Sequence, residues 1–164
     1  MIRTFKLSDA PRVAEIHVFG WRCAYRGIVS DEILFNDMLV SARIPRFENF
    51  ASNSGAKSYV YDDGIIKAFM TIGACRDKDK PNSFELWGIY VEPLMKRQGI
   101  GTRLIKFCEK KAVDLRYNEI CLWVLEKNVD SRCFYEKHGF VADGTSKYLE
   151  NIKATEVRYV KVMM

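Results

Sequence analysis

Two glycines stand within a short basic stretch, Lys96-Arg97-Gln98-Gly99-Ile100-Gly101-Thr102. Glycines let a ligand approach the backbone closely. Consecutive N–H groups at the start of a helix can point at one anion, and the helix dipole adds about half a positive charge. A dinucleotide loop of the form GxGxxG is excluded because Leu104 stands at the third glycine position, and the GxxxxGK[ST] loop does not occur. The stretch predicts a phosphate-binding loop, with a ligand-free glycine loop as the alternative.

The composition is that of an ordinary soluble globular domain. The chain has 164 residues, of which 48% are hydrophobic and 29% are charged, and it is long enough to bury a core. No apolar run approaches the ~20 residues that a membrane helix needs. The first residues, MIRTFKLSDAP, lack the apolar centre of a signal peptide. The sequence therefore predicts a cytoplasmic protein without a membrane partner.

Metal and nucleic acid are not expected as ligands. The five cysteines are scattered without a CxxC pair and the two histidines are far apart, which favours neither a disulfide framework nor a metal site. The net charge of +5 would suit an anionic partner. However, no stretch interleaves aromatic and basic residues as a groove for single-stranded nucleic acid does.

Strand and helix patterns alternate along the chain, which predicts a single α/β domain over residues 1–164. Strands are predicted over 1–6, in two runs within 57–75 around the Asp63-Gly64 turn, over 84–91, over 119–125 and in two runs near the end. Helices are predicted from a cap at Ser8 to Gly27, from about Ser30 to Pro45, from Ile100 past Leu115, and over 128–139. Leu39 and Leu115 are assigned to the buried faces of their helices.

Two segments taken together resemble the GNAT family of N-acetyltransferases. They are YVEPLMKRQGIGTRLI (90–105) and LEKNVDSRCFYEKHGF (125–140). The family's Gln/Arg-x-x-Gly-x-Gly/Ala loop matches Lys96 to Gly101, except that Lys96 stands where Gln or Arg is usual. Its Asn-x6-Tyr segment before a Gly-Phe turn matches Asn128, Tyr135 and Gly139-Phe140. The resemblance implies a mixed, twisted sheet of about six to seven strands with helices on both faces.

The resemblance implies acetyl-coenzyme A as the acyl donor. Its pyrophosphate would lie on the N–H groups of Arg97 to Thr102, helped by the basic side chains of Lys96, Arg97 and Arg103. Its pantetheine arm would lie along the strand before the loop and against Asn128, and an N–H group near Tyr90 would meet the oxyanion. The implied cofactor-binding residues are Ile89, Tyr90, Val91, Lys96, Arg97, Gln98, Gly99, Ile100, Gly101, Thr102 and Asn128.

Glu85 is the candidate general base. It matches the position of the base glutamate in part of the family, and a carboxylate can take the proton that an ammonium acceptor must lose before it attacks. Strict alternation along the strand would place Glu85 on one face with Trp87, Ile89 and Val91. Burying a lone charge there would be costly. A carboxylate that meets solvent near the start of the strand is the alternative.

Tyr135 is the candidate general acid. The resemblance gives this tyrosine the task of protonating the departing thiolate, which a phenol with a reference pKa of about 10 can do. Asn128, Arg132 and Tyr135 follow at intervals of four and three residues, so they would share one helix face. The alternative is a tyrosine packed beside Phe134 and Phe140.

Trp21, Tyr25 and Arg26 lie near the end of the first predicted helix, which borders the acceptor pocket in many family members. The resemblance therefore implies contact with the acceptor, although core packing is favoured for Trp21. His17 is expected to be a packing residue and His138 a helix-end residue.

We expect an acetyl-CoA-dependent N-acetyltransferase that acts on a primary amine by direct attack, without a metal. A non-catalytic acyl-coenzyme A sensor and a nucleic-acid-binding module are the alternatives from other classes. The presence of Glu85 and Tyr135 argues against the first, and the missing basic aromatic stretch argues against the second. The acceptor is a small-molecule or peptide amine. The sequence leaves open which amine it is and whether the protein forms a homodimer.

Overall fold

The computed structural model describes residues 1–53 and 55–163, in which a seven-stranded sheet carries helices on both faces. The strands are β1 (Ile2–Thr4), β2 (Lys57–Asp62), β3 (Ile66–Ala74), β4 (Phe84–Val91), β5 (Glu119–Leu125), β6 (Val141–Leu149) and β7 (Ala154–Val162). The helices are α1 (Ala10–Tyr25), α2 (Val40–Asn53), α3 (Ile100–Asp114) and α4 (Val129–Lys137). Short helical segments lie at Leu7–Asp9, Ile33–Asp37 and Pro93–Met95. The α/β class and the number of strands are confirmed.

The strand order is β1-β2-β3-β4-β5-β7-β6. β4 and β5 run parallel, whereas the other neighbouring pairs of described strands run antiparallel. Parallel neighbours need a crossover connection, and α3 supplies it. The start of α3 and the end of β4 are therefore brought to the same edge of the sheet.

Each sheet face carries its own apolar cluster. Leu104 and Cys108 of α3 are buried against a face that includes Met70 of β3. On the opposite face, Val13 of α1 is buried against Phe69, also from β3. Alternate residues of the same strand thus serve two cores, as expected for a sheet covered on both sides. Among the described residues, no helix combines the length and apolar character needed to cross a membrane.

The predicted cap of α1 is wrong. Ser8 lies inside the short turn Leu7–Asp9, and α1 begins at Ala10 without a side-chain cap. The Asp9 carboxylate accepts hydrogen bonds from the Lys6 N–H and the Arg3 guanidinium instead. The predicted end is confirmed, because α1 stops before Gly27, whose φ is +81°.

Three local expectations in the helices are also wrong. Pro45 lies inside α2 rather than at its end, because residues after it continue the apolar face, where Phe47 packs edge-on against Phe69. This packing offsets the backbone hydrogen bond that a proline cannot make. Leu39 and Leu115 are exposed, since each lies just outside a regular helix rather than on its buried face.

β4 carries a bulge at Trp87. Thr71 of β3 pairs with Gly88 and Ile72 pairs with Leu86, so Trp87 is left without a partner on β3. An extra residue of this kind shifts the alternation of side chains on the strand that carries it.

The bulge changes which residues share a face. Glu85 and Tyr90 lie on the α1 side, opposite Gly73 and Phe69 of β3. Ile89 and Val91 pack on the α3 side. The expectation that Glu85 shares a face with Ile89 and Val91 is therefore wrong, because it assumed an uninterrupted pleat.

β4 and β5 separate halfway along their length. Their pairing is confined to Phe84–Leu86 with Ile120–Leu122, whereas β5 pairs with β7 as far as Leu125. The second half of β4 consequently has a free backbone edge on the β5 side. The separation leaves a wedge-shaped opening within the sheet.

Candidate active site

A cavity of about 690 Å³ fills the opening between β4 and β5. It is bordered by the second half of β4, the start of α3, α4 and the end of α1. The predicted site residues that line it are Trp21, Tyr25, Ile89, Tyr90, Val91, Lys96, Arg97, Gly99, Ile100, Gly101, Thr102, Asn128 and Tyr135. Three predicted site residues do not line it: Gln98, Arg26 and Glu85. Most of the predicted site is thus assembled in one place.

The start of α3 presents free N–H groups to this cavity. Gly99 precedes the helix with φ +75°, and no side chain caps the helix. The first helical N–H groups, from Ile100 to Thr102, lack intrahelical acceptors by geometry, and Arg103 N–H is bonded to the Gly99 carbonyl oxygen. Arg97 also has a positive φ, of 61°. This is the geometry of an anion-binding helix terminus.

Close packing joins the start of α3 to α4. A Cβ on Gly101 would lie 3.1 Å from Cζ of Phe134, so the glycine allows the ring to approach the helix. His138 Nδ1 donates to the Phe134 carbonyl oxygen at 2.8 Å. Its other ring nitrogen, Nε2, is hydrogen-bonded to Thr102 Oγ1 at 3.1 Å. These contacts fix the two helix ends that border the cavity.

Tyr135 reaches the cavity from α4. It is 8% exposed, and its ring lies between those of Phe134 and Phe140 at 5.5 and 5.9 Å. Burial raises the pKa of the Tyr135 phenol well above its usual value, so the phenol keeps its proton at neutral pH. Asn128 is the buried N-cap of α4, and its side chain accepts from Ser131 N–H at 3.3 Å. Tyr135 thus both lines the cavity and packs against its aromatic neighbours.

The end of α1 forms an aromatic border. Trp21 Nε1 donates to the Tyr90 hydroxyl at 3.1 Å, and the Trp21 and Tyr25 rings lie 4.9 Å apart. Burial raises the pKa of both Tyr25 and Tyr90. Arg26 instead forms an exposed ion pair with Asp31 outside the cavity. Trp21 is both a packing residue, as expected, and a cavity residue.

Glu85 is covered by Arg76. The carboxylate is 1% exposed and accepts from the Arg76 backbone N–H at 2.9 Å and from Nε and Nη2 of the same guanidinium. The guanidinium also lies over the Trp87 ring, 4.1 Å from its centroid. Arg76, and not Glu85, lines the cavity. The general-base role of Glu85 stays a prediction, with an arginine between it and the cavity.

Two thiols lie next to Glu85. The Sγ atoms of Cys75 and Cys121 are 3.0 Å apart, and the three residues place their donor atoms within 4.8 Å of one another. Burial raises the pKa of the Cys121 thiol, and the neighbouring Cys75 raises it further. Arg76 already neutralises the carboxylate. A protonated thiol and a paired carboxylate are poor ligands for a metal ion.

Several polar and aromatic residues of the cavity were not predicted as site residues from the sequence, among them Arg76, Trp123, Lys147 and Glu156. Lys147 forms an ion pair of 2.9 Å with Glu156, and its ammonium lies 3.9 Å from the Trp123 ring centroid. No local motif marks these residues. Only the pairing of β7 with β5 and β6 brings Trp123, Lys147 and Glu156 together.

The comparisons with known proteins agree with this geometry. The family model of the acetyltransferase (GNAT) family matches residues 30–140. A probable N-acetyltransferase of Mycobacterium tuberculosis is 30% identical over 165 residues, covering 96% of this chain and 91% of the relative. An N-acetyltransferase of Bacillus subtilis is 29% identical over 140 residues, covering 84% of this chain and 78% of the relative. The chain belongs to the acetyltransferase (GNAT) family and is an acetyltransferase by class.

Solved structures share the fold. The PaiA N-acetyltransferase of Thermoplasma acidophilum, solved in complex with coenzyme A, superposes with a TM-score of 0.80 at 22% identity, covering 99% of this chain and 98% of that one. An acetyltransferase of Salmonella typhimurium, solved with its cofactor acetyl-CoA, superposes with a TM-score of 0.70 at 14% identity, covering 100% and 94%. The GNAT fold expected from the sequence is therefore confirmed.

Proposed function

We propose that this protein transfers the acetyl group of acetyl-CoA to the primary amine of a small molecule or peptide by direct attack. The observation that carries the proposal is the cavity between β4 and β5, which extends from a free strand edge to the uncapped start of α3. All of the residues invoked lie on one chain, so the proposal requires no dimer.

The cavity offers a fitting partner for each part of acetyl-CoA. The pyrophosphate fits the free N–H groups at the start of α3, where Lys96 and Arg97 add positive charge. The amide-rich pantetheine arm fits the free backbone edge of β4, which can accept hydrogen bonds as a strand edge does. When bound, acetyl-CoA supplies an activated acetyl group and a thiolate leaving group.

The chain's own groups supply the proton transfers. The Tyr135 phenol remains protonated at neutral pH, so it can donate its proton to the departing thiolate. A backbone N–H near Tyr90 would stabilise the oxyanion. Deprotonation of the acceptor needs a base, and Glu85 is the candidate predicted from the sequence, although Arg76 covers it.

The test of cofactor binding is Arg97→Glu, measured by titration calorimetry with acetyl-CoA. Arg97 is exposed, so the change reverses a charge beside the bound pyrophosphate without touching the core. We expect affinity to fall about ten- to a hundredfold at low salt and less at high salt. Lys96→Arg, which restores the usual family residue, should change the affinity little.

The matched control is Arg116→Glu. Arg116 is also exposed and has a positive φ, of 65°, but it lies beyond the opposite end of α3. It should bind acetyl-CoA like the wild type. Equal affinity in Arg97→Glu and Arg116→Glu would contradict the proposed phosphate site. A wild type that binds acetyl-CoA but acetylates no amine of a broad panel would contradict the transferase proposal and favour a sensor.

A further inference from the structure

Glu156 on β7 is a carboxylate that reaches the cavity. It lines the cavity wall, and its side chain is 16% exposed. Glu85, by contrast, is 1% exposed and held by Arg76. Asp130, in the exposed first turn of α4, also lines the cavity. Of the two glutamates, the one open to a ligand is the one that the sequence did not single out.

The pairing of the strands places the Glu85 and Glu156 carboxylates beside different residues of β5, at different heights along the strand direction. Glu85 pairs with Cys121, in the half where β4 and β5 are still joined. Glu156 pairs with Leu125, in the half where they have separated. Four residues of β5 separate these levels, which is about 13 Å along the strand.

The proposed position of acetyl transfer, beside Tyr90, lies at the same height along the strand direction as Glu156. Tyr90, whose neighbouring N–H is assigned to the oxyanion, lies five residues beyond Glu85 on β4. Because β4 and β5 run parallel, the Tyr90 level corresponds to the end of β5, beside Glu156. Burial is the main cause of the raised pKa of Tyr25 and Tyr90, and the negative charge of Glu156 adds to it. The same charge also acts on Arg76, so Glu156 lies within electrostatic reach of the cavity residues on α1 and β4 and of Arg76.

The contacts of Lys147 indicate that the Glu156 carboxylate is placed to bind a cation. Its ammonium pairs with Glu156 at 2.9 Å while lying over the Trp123 ring. A carboxylate beside an aromatic face binds an alkylammonium by charge and by cation–π attraction. Lys147 is half-exposed, so a substrate ammonium could displace it into solvent.

We infer that Glu156, rather than Glu85, binds the ammonium of the acceptor and takes its proton, an inference that rests on the proposed function. One proton passes from the ammonium nitrogen to the Glu156 carboxylate, and the free amine attacks the thioester carbonyl. As the C–N bond forms and the C–S bond breaks, the nitrogen gives its second proton to water and the Tyr135 phenol protonates the departing thiolate. Glu156 then gives its proton to solvent, and the Tyr135 phenolate takes one from solvent. One proton is released in total. Glu85 is a positioning residue that holds Arg76 against Trp87.

The test compares Glu156→Gln, Glu85→Gln and Lys147→Met in steady-state acetylation of an amine that the wild type acetylates. Glu156→Gln should lower kcat/KM for the amine about a hundredfold near pH 7.5 and leave acetyl-CoA affinity unchanged by calorimetry. The loss should shrink as the pH approaches the amine pKa of about 10, because more acceptor arrives neutral. Glu85→Gln should keep the wild-type shape of the pH profile.

Lys147→Met separates a lost ion pair from a lost carboxylate. It breaks the same pair but retains Glu156, so it should lose far less activity than Glu156→Gln. Three results would overturn the inference but leave the proposed function standing. They are a wild-type kcat/KM in Glu156→Gln, a loss in Lys147→Met equal to that in Glu156→Gln, and a changed pH profile in Glu85→Gln alone. A wild type that acetylates no amine would overturn both.

Discussion

His17 should make this fold sensitive to mild acid. It lies on α1 among the rings of Trp21, Phe47, Phe69 and Tyr90, at centroid distances of 4.8 to 6.2 Å. Its Nδ1 is buried without a hydrogen-bond partner among the described residues. Burial, followed by the nearby charges of the Arg43 and Arg46 guanidinium groups, lowers the pKa of His17 from its usual 6.5 to about 3.

The sign and size of the effect follow from this shift. Above pH 7.5 the imidazole is neutral in both the folded and the unfolded chain, so it contributes no pH dependence. As the pH falls below 6.5, the unfolded chain binds a proton that the folded chain rejects until about pH 3. The free energy of unfolding then falls by about 1.4 kcal/mol per pH unit. Between pH 7.5 and 5.0 the loss is about 2 kcal/mol.

The measurement is urea unfolding of the wild type and His17→Phe at pH 7.5 and 5.0. Phenylalanine fills the aromatic site, removes the unpaired Nδ1 and cannot titrate. The difference in unfolding free energy between the two proteins should grow in favour of His17→Phe by about 2 kcal/mol on going to pH 5.0. All other titrating groups are common to both proteins, so their contributions cancel in the difference between the two unfolding free energies. A difference that is the same at both pH values would refute the assigned protonation of His17.

Two further predictions concern catalysis and stability. Tyr135→Phe keeps the aromatic packing but removes the proton donor, so kcat should fall roughly ten- to a thousandfold with unchanged acetyl-CoA affinity; an unchanged kcat would leave Tyr135 a packing residue only. Arg158 is 4% exposed and pairs with Asp77, Asp79 and Asp143, so Arg158→Ala should lower the free energy of unfolding by about 3 kcal/mol in urea titrations. Breaking the exposed Lys110–Asp114 pair with Lys110→Ala should change it by less than about 0.5 kcal/mol, and similar losses in both variants would contradict the burial argument.

Local patterns were sufficient to predict the central strands of the sheet and the glycine loop before α3. The strands at 84–91 and 119–125 and the helix starting at Ile100 match the structure at these bounds. Their signals are short-range: apolar runs, a proline stop and glycines before a helix. The anion-binding character of the loop follows from helix geometry alone, because the first N–H groups of any uncapped helix lack partners.

Only the tertiary structure determines the surroundings of Glu85. The alternative that Glu85 meets solvent is wrong, because its carboxylate is buried and paired with Arg76. Arg76 reaches back from beyond the end of β3, and no local pattern identifies it. The bulge at Trp87 could not be foreseen either, because it depends on how β3 pairs with β4. The alternation rule failed at that residue.

Glu156 illustrates the same limit most clearly. On its own strand it is one charged residue among several, and nothing in ATEVRYVKV distinguishes it. It reaches the cavity because β7 is inserted between β5 and β6 and because β4 leaves β5 after Leu122. The sequence by itself determined the strands at 84–91 and 119–125, the start of α3 and the glycine loop before it, whose causes lie within a few neighbouring residues. The order and separation of the strands determined which of the two glutamates lines the cavity, because that depends on contacts between residues far apart in the chain.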